Sequence, residues 1–551
     1  MPGSVMLRDV RAAPAELLIV NGRAFVMGGQ AQAAGASVVA VAGGRILGLG
    51  DEGDAAQWRG PQTEVIDAGG GTIMPAFGDA HMHLRHGALA LDQLDLFGMS
   101  DVAVILAAVA RFSAQRPDDE WLLGRGWMYG AFGGGLPDRH LLDAVVPDRP
   151  AYFACFDSHS GWANSRALEA AGITAETPDP PHGHIVRDAS GQPTGALKER
   201  ATELIAEQLP AVDETTMRRL TLRALTALAA AGIASAQDAW ATPEDLGFLR
   251  ALHDSDGLPI RLRVGLELRP DDDLLGQLEA FDVAKGSGET QDQLRGGILK
   301  SFLDGVIEAR TAYMLRPYRD TPARGEPRWS DEGLRRAVAE AHRRGWQLEL
   351  HAVGDAAVRQ ALDAYEALGA GEAARRRHRV EHIETLAPAD LPRFAPLGVV
   401  ASMQPLHALP EEAETDAWQA ALEPAVAASG WPLRSLLAGG AVLALGSDWP
   451  VVPFDPFLEL QAAVRRQSAD GSPEGGWLPD EGVSLEQAMH AYTWGSAYAE
   501  HAEHERGKLA AGSRADLVVL DRDLLGEGDS AIVGTQVRLT LVDGRAVHRS
   551  I

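Results

Sequence analysis

The sequence predicts an α/β protein built on a (β/α)8 TIM barrel, with a small β-sandwich from both chain ends and an inserted subdomain after strand one. Eight short apolar runs alternate with helical stretches through the middle of the chain, which is typical of a parallel sheet with helical crossovers. Several of these runs end in histidine, lysine or aspartate, as barrel active sites require. An open doubly wound sheet is the alternative, but it gives no reason for polar residues on so many strands.

Both ends of the chain have the pattern of β-hairpins. Apolar runs such as ELLIVNGRAFV near the start and VRLTLVDGRAVHR near the end are broken by Asn-Gly or Asp-Gly, which are hairpin signals. Residues 20–24 and 542–546 are near copies, VNGRA and VDGRA. We therefore assign residues 1–74 and 503–551 to one composite β-sandwich; two unrelated hairpins that share turn chemistry are the alternative.

Residues 75–117 and 201–502 are assigned to the barrel. Its strands are expected in eight apolar runs that alternate with helical segments such as ETTMRRLTLRALTALAAAG. The runs are IMPAFGDAHMH, GIASAQDAW, IRLRVGLEL, GGILKSFLDG, WQLELHAVGD, HRVEHIETL, GVVASMQPLH and AVLALGSDWP.

Residues 118–200 interrupt the alternation and are too long for a single crossover. We interpret them as an inserted subdomain over the active site, because loops at that face of a barrel carry function. A structural elaboration away from the site is the alternative.

Polar residues at the strand ends predict a metal centre. His81 and His83 are two apart on the first strand, so both point to the same side. His351 and His382 follow two later strands. Imidazole nitrogens suit zinc and similar metals, so these four side chains are expected to bind one or two divalent ions, with zinc the expected metal.

Lys300 is expected to face the barrel interior, because it alternates with Ile298 and Phe302 along its strand. A buried ammonium is costly, and a lysine deprotonated by burial can take up CO2 to become a carbamate. We expect Lys300 to be N-carboxylated and to bridge two metal ions. Pairing with Asp304 or with a substrate carboxylate is the alternative.

Asp448 ends the eighth strand and is expected to be both a metal ligand and the catalytic acid/base. A carboxylate beside a metal-activated water can hold the water, take its proton and return that proton to the leaving group.

The sequence motifs around these strand ends together resemble those of amidohydrolase family 3 of the amidohydrolase superfamily, the branch that includes N-substituted formamide deformylases. The resemblance rests on PAFGDAHMH, HSGWANSRAL, PTGALKERA, KSFLDG, HAVGD, EHIE, MQPLH and GSDWPV, and runs from about residue 16 to 548. It implies a barrel with a split β-sandwich, a divalent metal and hydrolysis of C–N bonds. It also implies ligand roles for His81, His83, Lys300, His351 and His382, and a catalytic role for Asp448.

The expected function is therefore metal-dependent hydrolysis of an amide-type C–N bond, as in an N-substituted formamide or an N-acyl amine. A lyase or isomerase, or a hydrolase of cyclic amides, carbamates or esters on the same scaffold, is the alternative. A non-catalytic binding protein is a third possibility, but the full ligand set argues against it. Substrate contacts are expected from six residues: His159, Trp162, Asn164, Arg310, Gln404 and Trp449.

The amino-acid composition limits the possible binding partners and the cellular compartment of the protein. A formal net charge of −27 argues against nucleic acid and anionic membranes, and no stretch has the apolar length of a membrane span. The single cysteine, Cys155, excludes an intrachain disulfide and suits a cytoplasmic protein. We expect a small-molecule substrate, and a homodimer stays open.

Overall fold

Eight parallel strands form the central sheet of the computed structural model. The structure describes residues 14–26, 35–133, 135–270, 273–286, 293–409 and 417–551. In chain order the strands are β1 (Phe77–Met82), β2 (Ile233–Ala241), β3 (Arg261–Glu267), β4 (Leu294–Phe302), β5 (Gln347–Ala352), β6 (Arg379–His382), β7 (Val400–Met403) and β8 (Val442–Leu445).

Each strand of this sheet pairs with its neighbours in the sequence, from β1 to β8. A doubly wound sheet would reverse its strand order partway, so the consecutive order excludes that alternative. The two end strands meet where the chain leaves β8, since the Asp448 N–H donates to the His81 carbonyl at 2.6 Å. The predicted (β/α)8 fold is confirmed.

Helices cover the outside of the sheet, because their apolar faces need burial against the strands. Leu220, Leu225 and Leu228, for example, lie in the same buried core as residues of β1 and β2. The principal helices around the barrel are Leu84–Ala90, Glu214–Ala230, Pro243–Asp256, Leu274–Lys285, Asp331–Arg343, Asp355–Glu366, Leu433–Ala438, Pro456–Arg465 and Leu485–His490.

Two further sheets join the chain ends. One contains Leu17–Val20, Val38–Ala42, Arg45–Gly50 and Glu64–Asp67, and the other contains Arg23–Ala24, Thr72–Pro75, Leu517–Leu520, Val537–Val542 and Arg545–Arg549. Ile19 and Val39 of the first sheet share a buried core with Val519 and Leu541 of the second. Residues 1–13 and 27–34 of the predicted sandwich lie outside the described residues, and its exact bounds stay a prediction.

A six-stranded sheet lies between β1 and β2 in the sequence. Its strands are Leu94–Asp95, Leu122–Trp127, Ala151–Cys155, Ser160–Ala163, Gly183–Arg187 and Pro193–Glu199. The helix Val102–Gln115 packs on it through Ile105 and Val109. The sheet thus begins upstream of residue 118, where the sequence pattern set the start of the insert. Among the described residues, no helix has the length and apolarity to cross a membrane.

Candidate metal centre

The junction of β1 with the segment after β8 sets the position of two of the predicted ligands. The buried Asp79 carboxylate of β1 accepts hydrogen bonds from the Ser447 N–H at 3.0 Å and the Ser447 hydroxyl at 2.6 Å. It also accepts from the His81 N–H at 3.1 Å. Burial raises the pKa of Asp79 to about 6. Asp79 therefore fixes Asp448, the next residue after Ser447, against His81.

The His81 side chain is oriented by β6. Its Nδ1 lies 2.6 Å from Oε2 of Glu381, and Arg379 donates to both oxygens of Glu381 at 2.8 and 3.0 Å. Burial opposes ionisation of Glu381, but the Arg379 charge and His81 outweigh it and lower its pKa to about 2. An ionised carboxylate only accepts hydrogen bonds, so Nδ1 of His81 carries the proton and Nε2 offers a lone pair.

Donor atoms from three strands converge around Asp448. Its Oδ1 lies 2.8 Å from Nε2 of His83 and 3.5 Å from Nε2 of His81, and its Oδ2 lies 3.9 Å from Nδ1 of His382. Single donor atoms of His81, His382 and Asp448 all lie within 4.8 Å of one another. Two imidazole nitrogens and a carboxylate oxygen in this arrangement fit a divalent ion such as zinc.

Lys300 and His351 border the same point. The Lys300 side chain is fully buried, with Nζ 3.2 Å from Nε2 of His81. Burial lowers the pKa of the Lys300 amine, which favours its uncharged form. The His351 ring lies 4.5 Å from that of His382, but its Nε2 lies 3.2 Å from the carbonyl oxygen of Gly305. The structure thus brings all six predicted ligands to one end of the barrel.

A cavity of about 820 Å³ opens over this centre. Its wall includes His159, whose Nδ1 lies 3.0 Å from Oε2 of Glu199 and whose ring lies 5.5 Å from that of His351. His159 is the one predicted substrate contact that the structure brings to the cavity wall.

Two other predicted contacts have partners within the insert. The buried Trp162 indole donates to the carbonyl of Asp138 at 3.0 Å. Asn164 caps the helix Ser165–Ala170 and donates to the carbonyls of Val146 and Arg149. Neither lines the cavity, because both side chains turn into the insert's own core.

The remaining three also lie off the cavity wall. Arg310 pairs with Asp320 at 2.9 Å. Trp449 packs over Gly87, where any larger side chain would collide with its ring. Gln404, the residue after β7, is buried, and its amide atoms have no hydrogen-bond partner among the described residues.

Sequence analysis missed Glu381 and Arg379, although a signal was present. Both alternate inward along the run HRVEHIE, and charged residues are rarely buried without partners. The same holds for Glu349, which stands two residues before His351; the Glu349 carboxylate lies 3.0 Å from Arg379.

The sequence analysis also missed His407 and Glu384, which line the cavity. Burial raises the pKa of Glu384 to about 8.

Comparison with known proteins identifies the family of this chain. The profile of the amidohydrolase family matches residues 64–548. Protein LONG AFTER FAR-RED 3 of Arabidopsis thaliana is 32% identical over 97% of this chain and 92% of its own length. N-substituted formamide deformylase of Arthrobacter pascens is 30% identical over 96% and 97%. A metal-dependent hydrolase from Pyrococcus horikoshii superimposes with a TM-score of 0.72, at 26% identity over 94% of this chain and 99% of that one.

Proposed function

Since the chain belongs to the amidohydrolase family, and so is a metal-dependent hydrolase, we propose that it cleaves an amide-type C–N bond. N-substituted formamides and N-acyl amines are the proposed substrates. The observation that carries the proposal is the convergence of His81, His83, His382 and Asp448 beside the buried Lys300. The 30% identity to a formamide deformylase supports the substrate class.

We propose zinc as the metal, held by His81, His83, His351, His382 and Asp448, with one or two ions per chain. Imidazole-rich sites favour zinc. Lys300 is proposed to be N-carboxylated: its uncharged amine adds CO2 and releases a proton, which gives a carbamate that can bridge two ions. Its burial and its distance of 3.2 Å from Nε2 of His81 support this assignment.

In the proposed mechanism the protein positions a water and moves its proton. A divalent ion held by the side chains named above would polarise the scissile carbonyl and would lower the pKa of a nearby water. Asp448 accepts the proton of the attacking water and returns it to the leaving nitrogen. Glu381 keeps the His81 ring in the tautomer that presents Nε2 to the centre. The water oxygen becomes part of a carboxylic acid, and the C–N bond breaks to release the amine, so the products are the acid and the amine.

A substrate screen tests this function. Zinc-loaded protein is incubated with formamides, N-acyl amines, cyclic amides, carbamates and esters in water labelled with heavy oxygen. We expect turnover of acyclic amides, with solvent oxygen in the acid product. Turnover without incorporated oxygen would favour the lyase or isomerase alternative, and turnover of cyclic amides, carbamates or esters alone would favour the other hydrolases.

The cellular compartment and the oligomeric state of the protein are also proposals. A cytoplasmic location is supported by the single buried Cys155, since disulfides persist mainly in oxidising compartments. A small molecule is the proposed partner, and a homodimer is the proposed alternative to a monomer.

A further inference from the structure

The positively charged arginines that line the cavity are already neutralised by partners. Each lies against a glutamate that lines the same cavity. The pairs are Arg328–Glu199 at 2.5 Å, Arg200–Glu203 at 3.1 Å and Arg269–Glu267 at 2.8 Å. An anionic substrate group would have to displace one of these glutamates, which argues against substrates that carry a free carboxylate.

Among the described residues, two buried carboxylates of the cavity wall have no such partner. Glu384 accepts a hydrogen bond from the Trp418 indole at 2.7 Å, and Asp157 accepts from the Tyr129 hydroxyl at 2.9 Å and the His159 N–H at 2.8 Å. Within the described part of the chain, neither lies within 4.0 Å of a basic side-chain nitrogen. Both are more than nine-tenths buried, and buried carboxylates are costly without an opposite charge.

Indole rings lie beside Glu384. Trp418, Trp431 and Trp477 line the cavity and pack on one another with ring centroids 4.6 to 5.6 Å apart. The backbone of Glu384 joins the group, because its carbonyl accepts from the Trp431 N–H at 2.9 Å. Indole faces attract cations, and aromatic surfaces next to a carboxylate are how proteins bind ammonium groups.

We propose that the substrate carries a positively charged ammonium group, separate from the scissile nitrogen, which binds against Glu384, Asp157 and the indole of Trp418. This inference rests on the proposed function for the reaction, but it depends on different residues and names the substrate class. The proposed metal centre would cleave the amide while the neighbouring acidic and aromatic wall of the same cavity holds the cation.

Binding of a cation and of its neutral isostere tests the proposal without any turnover. Choline and 3,3-dimethylbutanol have nearly the same shape and differ in charge, and their binding is followed by calorimetry and tryptophan fluorescence. We expect choline to bind at least about tenfold more tightly, as a desolvated cation–π contact with a nearby carboxylate predicts. Equal affinities, or tighter binding of the neutral alcohol, would overturn the proposal.

Glu384→Gln keeps the acceptor for Trp418 but cannot ionise beside a bound cation. We expect the preference for choline to fall to less than about threefold, with metal content unchanged. Glu207→Gln is the matched control, because Glu207 lines the same cavity but is exposed at its rim, and it should retain the preference. Asp157→Asn serves as a second variant if Glu384→Gln does not fold. A preference that survives the removal of either charge contradicts the proposal.

Matched formamides separate this inference from the proposed function. The N-formyl derivatives of 2-aminoethyltrimethylammonium and of 3,3-dimethylbutylamine are compared by kcat/KM. We expect the cationic formamide to be preferred at least about tenfold, and Glu384→Gln to abolish that preference. Choline binding without hydrolysis of either formamide would refute formamide hydrolysis and leave the cation subsite standing. Equal hydrolysis of both, with no choline preference, would refute the subsite alone.

Discussion

Two residues of the proposed metal centre have backbone conformations that residues other than glycine rarely adopt. His382 has φ of +74° and Asp448 has φ of +58°. A left-handed conformation costs roughly 1–3 kcal/mol at such residues and persists where the surroundings fix it. Asp448 is held in this conformation by the hydrogen bonds between its neighbour Ser447 and Asp79. His382 is held as the last residue of β6. The strain aims both side chains at a common point.

Asp448→Asn should separate metal binding from proton transfer. Asn keeps the shape of the side chain and a metal-binding oxygen, but it cannot take up the proton of the attacking water. We expect at least one metal ion to stay bound while kcat falls by about 10²–10⁴-fold. Metal analysis and steady-state kinetics measure the two effects. A variant with near-normal kcat would assign proton transfer to another residue of the cavity, with His159 as the next candidate.

Glu381→Gln should weaken metal binding without touching the metal. The amide N–H2 of Gln can donate to Nδ1 of His81, which would move the ring proton to Nε2 and block the lone pair that a metal needs. We expect metal affinity to fall by about 10–100-fold, measured by competition with a chelator.

Glu503→Gln is the control for Glu381→Gln. It breaks another Arg–Glu ion pair, at 2.7 Å to Arg377, that involves none of the proposed metal ligands, and metal affinity should not change. Equal loss of metal in the two variants would mean that destabilisation, rather than the His81 tautomer, explains the effect. Thermal unfolding of both variants without metal reports that destabilisation directly.

At the scale of elements, Glu199 joins the insert to the loop that follows β4. It ends the strand Pro193–Glu199, and its carboxylate accepts hydrogen bonds from Arg328 and Thr311 of the loop and lies 3.0 Å from His159 of the insert. The contact places His159 over the metal centre. One buried carboxylate thus aligns the insert with the barrel.

Glu199→Gln should destabilise the protein in a pH-dependent way. Burial opposes ionisation, but His159, Arg328 and Thr311 lower the pKa of Glu199 from 4.5 to about 2. A depressed folded-state pKa gives stability that is present above about pH 4.5 and lost as the pH falls toward 2. The shift is equivalent to about 3 kcal/mol. The melting temperature of the variant should therefore lie below that of the wild type at pH 7 and approach it at acidic pH.

Glu203→Gln is the control for that titration. Glu203 pairs with the neighbouring Arg200, but the two side chains are each 41% exposed, and exposed ion pairs contribute about 0–1 kcal/mol. We expect little change in melting temperature at any pH. A deficit of Glu199→Gln that is the same at pH 7 and pH 3 would show that the carboxylate charge is not what holds the insert.

At the scale of the whole molecule, the sequence predicted the barrel and the convergence of its strand ends. That succeeded because each strand is a short apolar run closed by a polar residue, and carboxyl ends of parallel strands meet by geometry. The pair His81–Glu381 joins residues 300 positions apart, which no local pattern encodes. Trp162 and Asn164 show the opposite limit, and their substrate contacts stay a prediction. Their neighbourhood in the sequence suggested a pocket, but packing inside the insert determines where they point.

Metal removal should destabilise the folded chain as a whole, because the donor atoms belong to strands β1, β4, β5 and β6 and to the segment after β8. An ion that binds only the folded state adds about 2.7 kcal/mol at a free concentration one hundred times its Kd. We expect chelation to lower the melting temperature by several degrees, and zinc to restore it in a concentration-dependent way. His83→Ala should melt at the same temperature with and without chelator, whereas His501→Ala, on an exposed residue bonded to the Arg376 carbonyl, should respond as the wild type does. If the wild type melts at one temperature at every zinc concentration, the convergence of these side chains is not a metal site.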